Sequence, residues 1–87
     1  MKIEMIPIGK ENKITRGILM NKLKLNNVEE LKKQLAELKQ EYIILYDEGY
    51  YRPKTKEDYE NFINKCNEQT ANMKNLIELA NREMEKL

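Results

Sequence analysis

A mainly α fold with one small β-hairpin is what this sequence predicts, and three observations carry the prediction. Val28, Leu31, Leu35, Leu38 and Tyr42 recur at steps of three and four, which makes one stripe of a helix apolar. The β-branched and aromatic runs Ile43-Ile44-Leu45-Tyr46 and Tyr50-Tyr51-Arg52 flank Asp47-Glu48-Gly49, a turn short enough to join them as a hairpin. Tyr59, Ile63, Cys66, Thr70, Met73, Ile77, Ala80, Met84 and Leu87 alternate steps of four and three, the spacing of a helix that lies against a partner helix. At 87 residues the chain fits one small domain with an added helix, and its core must be modest.

The elements follow in order. Residues 1–9 alternate loosely between polar and apolar and end in Pro7-Ile8-Gly9, so they read as an extended arm or short edge strand in which Ile6 and Ile8 cover the edge of the core. Lys10 to Lys13 is a polar turn. Thr15 is placed to cap a helix with its hydroxyl. Ile14, Ile18, Leu19 and Leu23 then supply an apolar face at helical spacing. Gly17 in the first turn costs about 1 kcal/mol against alanine, which weakens that helix without abolishing it. Lys24-Leu25-Asn26-Asn27 ends the first helix and starts the second, with Asn27 as its cap and Leu25 as the buried residue of the turn.

The second helix runs over Val28 to Tyr42. Its exposed side, at 100° per residue, is centred on Glu29, Lys33, Ala36, Glu37 and Gln40, with Lys32 on the flank and Glu30 near the edge. In the hairpin that follows, Gly49 is free to take a positive φ, and Pro53 ends the second strand. A two-stranded hairpin cannot stand alone, so it must lean on the helices. Thr55-Lys56-Glu57-Asp58 resembles a capping box, with Asp58 in the place of Glu or Gln. No Pro or Gly follows, so the spacing predicts one helix from about Lys56 to the end, roughly 45 Å at 1.5 Å per residue. Its first part, with Phe62, closes the core. Its later part, with Leu76 and Leu79 beside the seam, points to self-association through Ile63, Cys66, Thr70, Met73, Ile77, Ala80, Met84 and Leu87; the alternative is a helix folded back on its own domain.

Charge and composition exclude much. Lys plus Arg number 16 against 15 Asp plus Glu, so no strong basic field marks a polyanion partner. The balance is uneven, with Lys2, Lys10, Lys13, Arg16, Lys22 and Lys24 against only Glu4 and Glu11 in residues 1–27. There is no His, no Ser and one Cys, which removes the usual general base, the serine nucleophile and a multi-thiolate zinc site. The three glycines form no phosphate loop. The chain therefore reads as a non-enzyme without cofactor, metal or small-molecule substrate. Cys66 reads as a small buried thiol, in keeping with a reducing compartment. Ile3, Met5, Ile6 and Ile8, broken by Glu4 and Pro7, are too few and too interrupted for a signal peptide or a membrane span, so no membrane partner and a cytoplasmic location are expected.

The run Ile6-Pro7-Ile8-Gly9-Lys10-Glu11-Asn12-Lys13-Ile14-Thr15, then Leu19 and Leu23, Asn27 through Leu35, and Gly49-Tyr50-Tyr51 resembles small winged helix-turn-helix proteins of phages and prophages of Gram-positive bacteria. The likeness covers most of residues 6–66. It implies an extended arm over 1–9, a winged helix-turn-helix domain over 10–66 and a C-terminal helical extension over 67–87. It also implies duplex DNA binding in phage transcription regulation or replication. In such proteins the recognition helix carries basic residues; Lys32 and Lys33 match that pattern, whereas Glu29 and the Asp47-Glu48 tip depart from it and would repel phosphates.

As a DNA reader the chain would use Lys32 and Lys33 on phosphates or purine edges and Gln34 or Gln40 for amide readout, from a helix capped by Asn27. Lys13 and Arg16 would hold the backbone beside the first helix, and Arg52, Lys54 and Lys56 would meet phosphates from the wing side. A coiled-coil homodimer would present two such helices to two half-sites. The rival reading is a protein-binding module, a winged-helix scaffold whose acidic face meets a host protein.

Overall fold

Both halves of the chain are built on the hairpin. The computed structural model describes residues 1–68 and 74–87, in the order α1 (Arg16–Leu23), α2 (Val28–Leu38), β1 (Leu45–Tyr46), β2 (Tyr50–Tyr51), α3 (Lys56–Glu68) and α4 (Lys74–Glu85). Single 3-10 turns at Ile3–Met5 and Lys10–Asn12 precede α1. The strands pair antiparallel, Leu45 with Tyr51 and Tyr46 with Tyr50. Successive strand side chains point to opposite faces, so adjacent apolar residues divide between two cores. Ile44 and Tyr50 join Ile6, Ile14, Leu19, Leu31 and Leu35 in one cluster. Ile43, Leu45 and Tyr51 join Tyr59, Phe62, Cys66, Leu76 and Ala80 in the other. The hairpin is thus a thin layer covered on both sides, which is how so short a pair of strands is held.

The arm adds to this layer. Arg52 N–H donates to the Pro7 carbonyl at 2.7 Å and Gly9 N–H to the Arg52 carbonyl at 2.8 Å, so Ile8 bridges Arg52 in parallel. On the same strand, Ile14 and Tyr50 exchange both backbone bonds, at 3.0 and 2.7 Å. Ile6 is fully buried, as expected, whereas Ile8 is 49% exposed: only one of the two covers the core. The first residues also coil into the Ile3–Met5 turn where an extended arm was expected.

Local signals placed the helices. Thr15 Oγ1 accepts from Ile18 N–H at 3.4 Å and Asn27 Oδ1 from Glu30 N–H at 2.9 Å, the two caps expected. Lys24 takes a left-handed φ of 57°, and Leu25 N–H reaches back to the Met20 carbonyl at 3.0 Å, closing α1 with a left-handed stop and freeing the chain for α2. In α1 the face is narrower than its spacing suggested, because Leu19 is fully buried and Ile18 is 52% exposed. Gly17 has nothing within 4 Å of where a Cβ would stand, so its cost is one of backbone freedom alone. Leu31 and Leu35 are the buried stripe of α2. The helix ends at Leu38, before Tyr42, and the chain turns through 39–42 to bring Ile43 into the hairpin; Tyr42 is left 39% exposed at the bend.

The largest difference from the sequence reading lies after the hairpin. Thr55 and Asp58 do form the reciprocal cap, Asp58 N–H to Thr55 Oγ1 and Thr55 N–H to Asp58 Oδ2, each at 3.2 Å. But α3 and α4 are two helices packed against each other, where one helix from Lys56 to the end was expected. Tyr59, Phe62 and Cys66 give α3 an apolar face that the hairpin covers only in part, and Leu76 and Ala80 of α4 cover the rest. Ala80 is fully buried, its small side chain allowing close approach. An apolar stripe tethered to its own core meets that core at high effective concentration, and folding back buries it within the chain. Cys66 is buried, as expected, and burial pushes its thiol pKa up. Among the described residues, no helix is long and apolar enough to cross a membrane.

Candidate nucleic-acid interface

The polar turn before α1 organises the charged side of the molecule. Its backbone turns because Gly9, at a left-handed φ of 95°, admits a reversal into Lys10–Asn12, and Asn12 Nδ2 donates to the Ile8 carbonyl at 3.0 Å. From this turn Lys10 pairs with the Asp47 carboxylate, and Lys13 Nζ donates to the Asp47 carbonyl at 2.9 Å. Glu11 pairs with Lys54 at 2.9 Å, just beyond β2. Two lysines and a glutamate of one turn therefore tie the tip of the hairpin and the chain just beyond β2. Lys10, Glu11, Asp47 and Lys54 are exposed and Lys13 is half-buried, so the ties add little stability and serve to place the charges.

Electrostatics agree with that geometry. The hydrogen bond from Lys10 holds the Asp47 carboxyl below the usual carboxylate range, with Lys13 and Lys65 adding to the effect. The same bond raises the Lys10 pKa, and the Glu11–Lys54 pair moves both partners apart in the same manner. Arg16, the first residue of α1, lies over the Tyr46 ring at 5.9 Å, and Tyr46 packs on Tyr50 with ring centroids 4.8 Å apart. Tyr50 and then Tyr46 raise the pKa of that guanidinium. Lys10, Lys13 and Arg16 thus converge on the hairpin, and the first of them offsets Asp47 of the acidic tip.

Gly49 serves this junction differently from expectation. The left-handed residue of the connection is Glu48, with φ 58°, and Gly49 is not in that region. What Gly49 allows is contact: a Cβ there would stand 3.0 Å from Lys13 Cγ and 3.2 Å from the Ile14 carbonyl oxygen. The glycine lets the loop before α1 lie against the hairpin.

The other expected contacts are distributed as follows. Lys32 and Lys33 are exposed on α2 beside Glu29, Glu30 and Glu37, Gln34 is half-buried, and Gln40 is exposed in the turn after the helix. Asn27 is engaged as a cap. Arg52 is half-buried and its Nε donates to the Ile6 carbonyl at 2.8 Å, so it ties the arm to the strand. Lys54 is committed to Glu11, and Lys56 is exposed at the start of α3. Arg52 and Lys54 are thereby drawn into structural ties, while Lys13 and Arg16 are joined at the hairpin. Lys10 is the residue that sequence reasoning missed, because its link to Asp47 depends on a register that no local pattern reveals.

Of the seam residues, Cys66 and Ala80 are buried within the chain and Ile63, Ile77 and Met84 pack against the same cluster. Leu87 is exposed, and Thr70 and Met73 lie outside the described residues. Among the described residues, no group of His, Cys, Asp or Glu is placed to hold a metal ion. In comparisons with known proteins, no family model, no curated protein and no solved structure matches the chain.

Proposed function

We propose that the chain binds duplex DNA as a winged helix-turn-helix, with α1 and α2 as the helix pair, α2 as the reading helix and the β1–β2 hairpin as the wing. The observation that carries this reading is the junction of Lys10, Lys13 and Arg16 with the hairpin. It neutralises Asp47, which would otherwise repel phosphates, and it groups cations where the start of α1 meets the wing. Lys32 and Lys33, exposed on α2, extend the cationic surface, and Gln40 offers an amide. The fold-back of α4 leaves this side uncovered by using the apolar residues of the C-terminal segment on the other face of the hairpin. A role in phage transcription regulation or replication is the biological setting that the resemblance suggests.

The exposed carboxylates Glu29, Glu30 and Glu37 on α2 favour a second reading, in which this face meets a basic surface of a host protein. A salt series separates the two. Fluorescence anisotropy with a labelled mixed-sequence duplex is expected to give binding at low ionic strength whose log affinity falls against log salt with a slope of roughly −3 to −5, each neutralised phosphate contributing about 0.9. Alanine at Lys32 and Lys33 together should flatten that slope by about two phosphates' worth. Absence of binding at low salt favours the protein partner.

A further inference from the structure

On the far side of the hairpin, the outer side of α4 carries Leu79 and Glu83, which its own chain covers only in part. Two hollows meet there at Leu79 and Glu83. The first, about 360 Å³, is lined by the apolar Ile8, Tyr42 and Tyr59 together with the acidic Glu41 and Glu83. Arg52 also lines it, with its Nε turned to the Ile6 carbonyl. The second is lined by Leu79, Arg82, Glu83, Glu85 and Lys86. Ile8 and Tyr42 are two of the large hydrophobic side chains that the described residues leave exposed, and both fall in the first hollow.

The distribution of charge selects the occupant. The two hollows hold acids, Glu41, Glu83 and Glu85, and bases, Arg52, Arg82 and Lys86, with Arg52 turned to the Ile6 carbonyl, so the patch carries its own complement. An isologous contact places the same patch of two subunits face to face about a two-fold axis, each residue meeting the other's counterpart. A two-fold axis near Leu79 would set Arg82 and Lys86 of each copy against Glu41 and Glu83 of the other, beside the apolar Ile8, Tyr42 and Tyr59. Glu83 is available for this, since its contact with Lys86 in its own chain is a 3.8 Å surface pair between neighbours on one helix. We propose that two copies of this chain pair through this outer face of α4. The surface differs from the heptad seam, whose Cys66 and Ala80 are buried inside each chain, and it does not depend on DNA binding.

Sedimentation of the full chain tests the pairing. The wild type is expected to dimerise reversibly, with a Kd of order 10–100 μM, as befits a small and partly charged interface. Glu83→Arg and Arg82→Glu, each confirmed as folded by circular dichroism, should each weaken self-association about tenfold or more through like-charge contact. Mixed in equal amounts, the two variants should pair again as a heterodimer, because each positive position of one then faces a negative position of the other. A wild type that remains monomeric at about 1 mM overturns the proposal. So does self-association unmoved by either reversal, or a mixture that fails to pair.

Discussion

The two faces of the hairpin are closed by different means. On the N-terminal side, short elements are joined by caps, a left-handed stop, backbone exchange with Ile14 and the ties that Lys10, Glu11 and Lys13 of one turn make to the hairpin and to Lys54. On the C-terminal side two longer helices pack on Ile43, Leu45 and Tyr51 almost wholly through apolar contact. The first arrangement needs polar groups at defined places and leaves charged surface around them. The second uses its apolar residues to close the molecule and leaves a mixed outer face on α4. The charged surface of the proposed recognition thereby stands on one side of the thin sheet, while both sides contribute a core to the stability of the whole.

The largest effect should come from the cores. Phe62→Ala on the C-terminal side is expected to cost about 3–5 kcal/mol and Leu31→Ala on the N-terminal side about 2–5 kcal/mol, both through cavity formation. Because the consecutive residues Ile43, Ile44 and Leu45 enter alternate cores, either loss should lower one shared transition in urea. Two separate transitions would mean that the hairpin does not couple its faces. Next in size, Asn27→Ala removes the hydrogen bond to Glu30 N–H and should cost about 1 kcal/mol, read as a lower urea midpoint with unchanged slope.

A variant can also sharpen the contrast. Glu48→Gly relieves the left-handed backbone at φ 58° and removes an acid from the hairpin tip. It is expected to raise stability by roughly 1 kcal/mol and to tighten duplex binding a few-fold, whereas a stabilising change on α4 should leave affinity unmoved. The smallest effect is a titration. Since the Asp47 pKa is lowered in the folded state, its pairing with Lys10 contributes above the unfolded aspartate pKa and is lost as pH falls through the folded value. Carbon chemical shifts of the Asp47 carboxyl should titrate below the ordinary aspartate range, and Lys10→Ala should move that midpoint upward.

What was legible in the sequence follows the same division. The caps at Thr15, Asn27 and Thr55, the stripe of Leu31 and Leu35, and the hairpin about Asp47-Glu48-Gly49 are local patterns, and all of them appear where their spacing put them. The fold-back of α4 was not legible, because a four-three alternation is the same whether its partner is a second chain or the chain's own α3; only the tertiary arrangement decides. Gly49 misled in a related way. Its composition signal is the same for a positive φ as for the close contact with Lys13 and Ile14 that it actually makes. The charge pairing of Asp47 was hidden for the same reason, since Lys10 lies far from it in sequence and near it only through the Ile14–Tyr50 bridge. The acidic tip that counted against DNA in the sequence is partly neutralised in the fold.

The most direct test of the central claim is to map amide chemical shifts of the labelled protein as a mixed-sequence duplex is added at low salt. If the N-terminal face reads DNA, the perturbed amides should cluster at Lys13 to Gly17, along the Asn27 to Gln34 stretch of α2 and at Tyr46 to Tyr50. The amides of Phe62 and Cys66, on the other face, should stay in place. Shifts confined to α3 and α4, or no shifts at any duplex concentration, would contradict it.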